Sequence, residues 1–374
     1  MSLARSLILL ALVLVTGLWP GGRAATGDSA GAGNDFYRVF VEDGAGADGE
    51  GTFTATTGPS HPRGGDQPIL FGDDSPFDAA TSYLTVRSYT TGTDYVQTTS
   101  GPTSANRVVG LDEFASVAPL GATGYRTTYE LPGGDRSPDL LTITSDISAE
   151  GATFAGSAIR ISATVSNSGP IPVALGIRYL LDVAPAGDDG PALTLGASSG
   201  QLSEKTYRPA PEAVELIADG VAVHLPLLVR TPTVAADQLH RVALADTLKF
   251  AYWPDAFGSA FDYASIGRDI ASPGGLDDSA LLYYFGSTEE GAIRLAPGET
   301  ATVSISVSGA GTQEICGNQA DDDGDGLADA ADPDCAPQPT PTPSPPANDG
   351  SPTPAPTRTP SALPRTGGTD RRLR

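Results

Sequence analysis

Basic residues, histidine and cysteine are scarce in this chain, and each scarcity narrows what it can do. Its 374 residues carry 22 Lys and Arg against 45 Asp and Glu, a formal net charge of −23. Such a surface repels phosphate backbones and anionic headgroups, which argues against nucleic acid and acidic membranes as partners. The three histidines, His61, His224 and His240, form no His-x-x-x-His pair. There is no Gly-x-Ser-x-Gly elbow and no phosphate-cradling glycine loop. With only Cys316 and Cys335, pairing within the chain is unambiguous. Beyond the N-terminus no apolar run approaches the ~20 residues of a membrane helix.

What is present starts with a secretory signal. Arg5 gives a positive start, Ser6 to Leu18 a short apolar core, and Gly22-Arg23-Ala24 a small-residue cleavage site. Residues 1–24 are therefore expected to be removed; a membrane anchor or a buried helix is the competing reading. The mature chain is expected to be secreted, extracellular or attached to a cell surface, without a transmembrane segment. A Cys316–Cys335 bridge can persist in that oxidising compartment. Residues 25–34, rich in Gly, Ala and Ser, are expected to form a flexible leader. Residues 336–374 begin with a Pro/Thr/Ser/Ala tract that cannot bury a core and is expected to be a disordered, partly polyproline-II stalk.

Residues 35–310 read as all-β. Ile159, Ile161, Ala163 and Val165 alternate with polar neighbours, then Asn167-Ser168-Gly169-Pro170 turns the chain, and Val173, Leu175, Ile177, Tyr179 and Leu181 alternate again. This predicts two paired strands, a hairpin, each with one buried face. The same period of two recurs at Leu141/Ile143, Val221 to Val229, Leu248/Phe250/Tyr252 and Val303/Ile305/Val307. Ala210 to Leu216 is the best short helix candidate. So many strands exceed one immunoglobulin-sized sandwich. The expected architecture is one large antiparallel two-sheet sandwich, with two smaller ones as the alternative. Ile177-Arg178-Tyr179-Leu180-Leu181-Asp182, Phe261-Asp262-Tyr263, Asp278 to Tyr284 and Leu295 to Thr300 resemble stretches of large secreted β-domains similar to galactose-mutarotase-like supersandwiches. The resemblance implies a fold of that kind, and carbohydrate as a ligand class.

The densest chemistry follows that region. Glu314 to Cys335 holds eight acidic residues and no basic one. Asp321, Asp323 and Asp325 stand at positions 1, 3 and 5 of a calcium loop, with Gly326 at the turn. Leu327 would give its carbonyl, Asp329 would bind directly or through water, and Asp332 would close the site. An unstructured acidic turn is the competing reading. The segment resembles the Asp-rich repeats of thrombospondin type 3 and dockerin-like modules. A structural Ca2+ is the expected cofactor, in a disulfide-closed loop over 311–335. Leu363-Pro364-Arg365-Thr366-Gly367 resembles the LPXTG motif cut by sortases, which implies a sortase as partner. The apolar tail usual in such proteins is absent between it and Arg371-Arg372-Leu373-Arg374.

Two weaker constellations lie inside the β-domain. Asp182, Asp188 and Asp189 form an acidic turn able to bind a cation or a sugar hydroxyl, or simply to turn the chain. Tyr252, Trp253, Phe257, Phe261 and Tyr263 could line a carbohydrate groove or plug the core. A mutarotase-like site would set a histidine, His224 or His240, against Glu215 or Asp246. The expected function is surface display, adhesion or glycan binding, with a glycan or surface protein as ligand. The alternative is a carbohydrate-active enzyme of epimerase or lyase type.

Overall fold

The computed structural model describes residues 31–44, 49–72, 81–97, 102–195, 200–217, 227–231, 243–271 and 278–309. The signal, the calcium loop, both cysteines, the stalk, the sorting motif, His224 and His240 lie outside them.

The elements, in chain order, are β1 (Ala32–Gly33), β2 (Tyr37–Val41), β3 (Phe53–Thr57), β4 (Tyr83–Ser88), β5 (Thr93–Val96), β6 (Arg107–Gly110), β7 (Ala115–Pro119), β8 (Gly124–Pro132), β9 (Leu140–Glu150), β10 (Ala158–Asn167), β11 (Val173–Asp182), β12 (Ala192–Thr194), β13 (Lys205–Tyr207), β14 (Ala213–Ile217), β15 (Leu227–Arg230), β16 (Thr247–Tyr252), α1 (Trp253–Phe257), β17 (Ser279–Phe285), β18 (Ile293–Leu295) and β19 (Thr300–Gly309). One sheet runs β12-β14-β15-β19-β10-β9-β8-β7. A second runs β13-β16-β17-β11-β4-β5-β6, with β18 on β11. β1-β2-β3 form a small third sheet. Pairing is antiparallel except between β5 and β6. The expected all-β sandwich is what forms.

The sandwich follows from the alternation. Leu141, Ile143 and Ile147 of β9, Ile159 to Val165 of β10, and Val303 to Val307 of β19 send their apolar side chains inward from the first sheet. Leu84, Val86, Leu175, Ile177, Tyr179, Leu181, Leu248, Phe250, Leu281, Tyr283 and Phe285 meet them from the second. The outward residues of the first sheet are Ser, Thr and charged: Thr164 bonds Thr302 at 2.9 Å, and Arg126 grips Asp146 across the strands with bonds of 2.7 and 2.6 Å. Such a half-solvated antiparallel sheet is what a period of two encodes.

Four expectations need correcting. β10 and β11 are not a hairpin: β10 pairs with β9 and β19, and β11 with β4, β17 and β18. The turn between them carries the chain from one sheet to the other. Asn167 makes this switch, its amide donating to Ile171 O at 2.8 Å and Leu295 O at 3.0 Å while its Oδ1 accepts from Gly169 N–H. Second, β11 has no solvent face; all ten of its residues are buried. Third, Ala213–Ile217 is a strand rather than a helix, because Val214 and Leu216 point into the core between β12 and β15. Fourth, Ala32–Gly33, inside the expected leader, already pairs with β2. Among the described residues no helix is long and apolar enough to cross a membrane.

Candidate functional site at the covered face of the second sheet

The face of the second sheet turned away from the core is the chemically richest place in the described chain. Alternation puts Tyr83, Thr85 and Arg87 of β4, Asp94 of β5, Arg178, Leu180 and Asp182 of β11, Lys249 of β16, and Leu282 and Tyr284 of β17 on it. The segment from Trp253 to Tyr263 lies over them. Its Ala256, Ala260 and Phe261 are fully buried and pack with Tyr83, Leu180, Leu282 and Tyr284. Polar side chains of the sheet hold this cap by its carbonyls. Tyr83 Oη donates to Phe257 O at 3.1 Å and Tyr284 Oη to Phe261 O at 2.9 Å, and Lys249 Nζ donates to Tyr263 O.

Beneath the cap the charges are unevenly paired. Arg87 is held by Asp94 through Nε at 2.6 Å and Nη2 at 2.8 Å, and by Asp262 through Nη1 at 2.8 Å. Its guanidinium lies over Phe261, 4.3 Å from the ring centre. Burial disfavours its charge, but the two carboxylates outweigh that and raise its pKa. Arg178 is different. It is wholly buried, its Nη2 donates to Tyr83 Oη at 2.7 Å and its Nη1 to Ser259 Oγ at 3.0 Å, and its Nε has no partner. No carboxylate pairs with it among the described residues. Lys249 stands close by, 4.9 Å from the Tyr284 ring centre. Burial brings its pKa down to about 8, Asp262 working upward and Arg178 downward. Among the described residues, this part of the face thus sets Arg87, Arg178 and Lys249 against Asp94 and Asp262.

The rim is aromatic. Trp253 and Phe257, one turn apart on α1, are half-buried, with ring centres 5.0 Å apart and planes 30° from parallel. The Tyr252 ring carries the Arg268 guanidinium at 4.7 Å. Glu204 ties the next loop down: it accepts Ile266 N–H at 2.9 Å, Arg268 Nη2 at 2.9 Å and the Tyr263 hydroxyl. Burial opposes its ionisation, yet these donors prevail and hold it at about 2. The five aromatics singled out in the sequence thus divide: Phe261 and Tyr263 plug the face, Trp253 and Phe257 edge it, and Tyr252, on the inward side of β16, packs against the main core.

Other sequence candidates fall elsewhere. Glu215 lies on β14 of the first sheet, and Asp246 precedes β16 of the second and accepts Ser287 N–H at 2.8 Å. They share no site. His61 packs edge-on against Phe154, ring centres 4.9 Å apart, and burial with nearby Arg63 lowers its pKa to about 4. It is a neutral core ring. Of the acidic turn, Asp188 Oδ1 accepts Gly190 N–H at 3.1 Å, whereas Asp182 and Asp189 meet Asp278 of the approach to β17. Arg178 and Lys249 were missed in the sequence, where each reads as one polar residue in an alternating strand. The only hint was Leu180 among the supposedly outward residues of β11.

No protein-family model and no curated protein matches the chain. Among solved structures it is similar to a putative aldose 1-epimerase from Escherichia coli K12, with 12% identity and a TM-score of 0.46 over 75% of this chain and 99% of that one. It is similar to a galactose mutarotase related enzyme from Lactobacillus acidophilus, with 10% identity and a TM-score of 0.43 over 75% and 97%. A galactose mutarotase-like protein from Clostridium acetobutylicum gives 8% identity and 0.40 over 73% and 92%. These likenesses assign no residue of this chain a role.

Proposed function

We propose that the β-domain recognises carbohydrate at the covered face of the second sheet, and that the sugar it takes carries a carboxylate. Arg178 carries this reading: a fully buried guanidinium, beside Lys249, with no carboxylate paired to it among the described residues. A buried cation left without an anion is costly, and a planar guanidinium matches a carboxylate well. The Trp253–Phe257 rim offers the flat apolar surface that a sugar ring stacks on. The resemblance of residues 35–310 to mutarotase-like domains implies the same ligand class. The cap over Arg178 must swing aside for the sugar to enter.

The test is a glycan array probed with the full secreted chain, including neutral and uronate-bearing glycans. Uronate-bearing glycans are expected to bind, and Arg178→Met to weaken binding at least about tenfold, the loss of one charge-assisted hydrogen bond. No glycan binding, or binding indifferent to Arg178→Met, overturns it.

One observation favours a catalytic version. An amine at about 8 is partly neutral under ordinary conditions and can act as a base. Lys249 would take the proton from the carbon beside the sugar carboxylate, while Arg178 steadies the charge that develops there. Return of a proton from water to the other side of that carbon would give epimerisation. Breaking the bond from the next carbon to its oxygen substituent, which leaves as an alcohol after taking a proton from water, would give elimination. Elimination would appear as the ultraviolet absorbance of a new conjugated double bond, lost in Lys249→Met. We infer further that the chain is secreted and displayed, with the 311–335 loop as a Ca2+-dependent clip before the stalk.

A further inference from the structure

We propose that Asp182, Asp189 and Asp278 form a binding site for a hard divalent cation, Ca2+ above all, at the end of β11. The fold brings the three together in a definite way. Asp182 is the last residue of β11 and pairs with Ala280 of β17, so Asp278, two residues before Ala280, falls on the same side of the sheet. The chain then turns back through Pro185–Gly187, where Ala186 takes φ 54° and Gly187 φ 85°. The returning Asp189 is pinned to β17 by its carbonyl, which accepts Ser279 N–H at 2.8 Å. One carboxylate oxygen from each aspartate lies within 4.8 Å of the others. Ligands of one calcium ion stand about 2.3–2.6 Å from it, so two of them can be at most about 5.2 Å apart. The spacing fits.

A second observation points to a ligand. Asp182 is only 2% exposed, and its Oδ1 has no hydrogen-bond partner. Buried carboxylate oxygens are almost always satisfied. The nearest help for this carboxylate is the Thr81 hydroxyl, whose single proton is also claimed by Phe71 O at 2.8 Å. Burial, then Asp189 and Asp278, raise the Asp182 pKa well above the ordinary carboxylate value. A cation bridging the three would reverse both the burial and the repulsion. All-oxygen donors with no nitrogen or sulfur select Ca2+ or Mg2+ over transition metals. Three carboxylates leave further positions for water or a sugar hydroxyl, and the more adaptable Ca2+ shell suits such an incomplete cage. This site uses none of the residues of the Asp321–Asp332 loop, and it does not depend on the carbohydrate reading.

The experiment uses the full secreted chain as wild type, as the double change Asp321→Asn/Asp325→Asn, and with Asp182→Asn or Asp189→Asn, each alone and on that double variant. Thermal melting is followed in chelator and in millimolar Ca2+. Tb3+ luminescence excited through tryptophan gives a second readout, since Trp253 N–H donates to Asp278 O at 3.4 Å. Ca2+ should raise the melting temperature by several degrees in wild type and in the double variant, and both should sensitise Tb3+. Placed on the double variant, where the 311–335 loop is already disabled, Asp182→Asn and Asp189→Asn should each abolish both responses. In chelator, Asp182→Asn should melt no lower than wild type, because it removes a repelled carboxylate. A calcium shift that survives Asp182→Asn on that background, or that is missing from the double variant, overturns the site. Should Asp182→Asn fail to fold, Asp189→Asn, at the less buried edge, decides in the same way.

Discussion

The outward faces of the two large sheets are built from the same kind of sequence and end in opposite environments. On the first sheet, the residues between the apolar ones are Arg126, Asp146, Ser162, Thr164 and Thr302, and they face solvent or half face it. On the second, Arg87, Asp94, Arg178 and Lys249 occupy equivalent alternate positions and are mostly buried under residues 253–263. The first face is a solvated surface whose polar pairs are interchangeable. The second is a polar layer inside the protein, where each donor needs a named partner. That difference is why the candidate sites lie on the second sheet.

The sharpest way to break the comparison is to cut its best buried ion pair. Arg87 and Asp94 have side chains 7% and 0% exposed. Asp94→Ala leaves a guanidinium buried with only the exposed Asp262 to answer it, and should cost about 3–5 kcal/mol in urea unfolding. A cost below about 1 kcal/mol would mean that the cap does not exclude water.

The second effect is pH-dependent. Glu204 ionises at about 2 in the folded chain, below the ordinary glutamate value of about 4.3. A depressed carboxylate stabilises the fold at pH values above its unfolded pKa, and that stability is lost as pH falls toward the folded pKa. A shift of this size corresponds to about 3 kcal/mol, lost between about pH 5 and pH 2. Glu204→Gln should flatten this part of the stability profile. An unchanged slope would show that Glu204 does not hold the 263–268 loop as described.

β11 shows how far a local sequence pattern reaches. Val173, Leu175, Ile177, Tyr179 and Leu181 were correctly assigned to the core, as were the inward residues of β9, β10 and β19. The other face of β11 was not, because burial by the 253–263 cap is decided some 80 residues further along and leaves no local periodicity. Asn167-Ser168-Gly169-Pro170 looks like a hairpin turn, and only the long-range bond from Asn167 to Leu295 O reveals a change of sheet. The acidic turn was visible as Asp182, Asp188 and Asp189. Which two of these converge, and that Asp278 joins them, depends on the β11–β17 register, which no spacing within the turn encodes.

A smaller effect tests the inner face. Tyr283 is wholly buried in the core between the sheets and its hydroxyl has no partner. Removing an unsatisfied buried hydroxyl relieves its desolvation, so Tyr283→Phe should raise stability by about 1 kcal/mol. The core is therefore expected to prefer the apolar residue at a place where the covered face would not. Tyr83→Phe, which removes the acceptor of Arg178 and the donor to Phe257 O, should lower stability in the same assay.

The smallest effect completes the comparison. Arg126 and Asp146 have the same bidentate geometry as Arg87 and Asp94, with bonds of 2.7 and 2.6 Å, but their side chains are 47% and 21% exposed. Water and salt screen such a pair, so a double-mutant cycle should return about 0.2–1 kcal/mol, shrinking as salt is added. The cycle on Arg87 and Asp94 should be several times larger and nearly indifferent to salt. Equal coupling energies would mean that hydrogen-bond geometry, and not the cap, sets the value of a charge on these sheets, and the unpaired Arg178 would then lose its claim to need an anion.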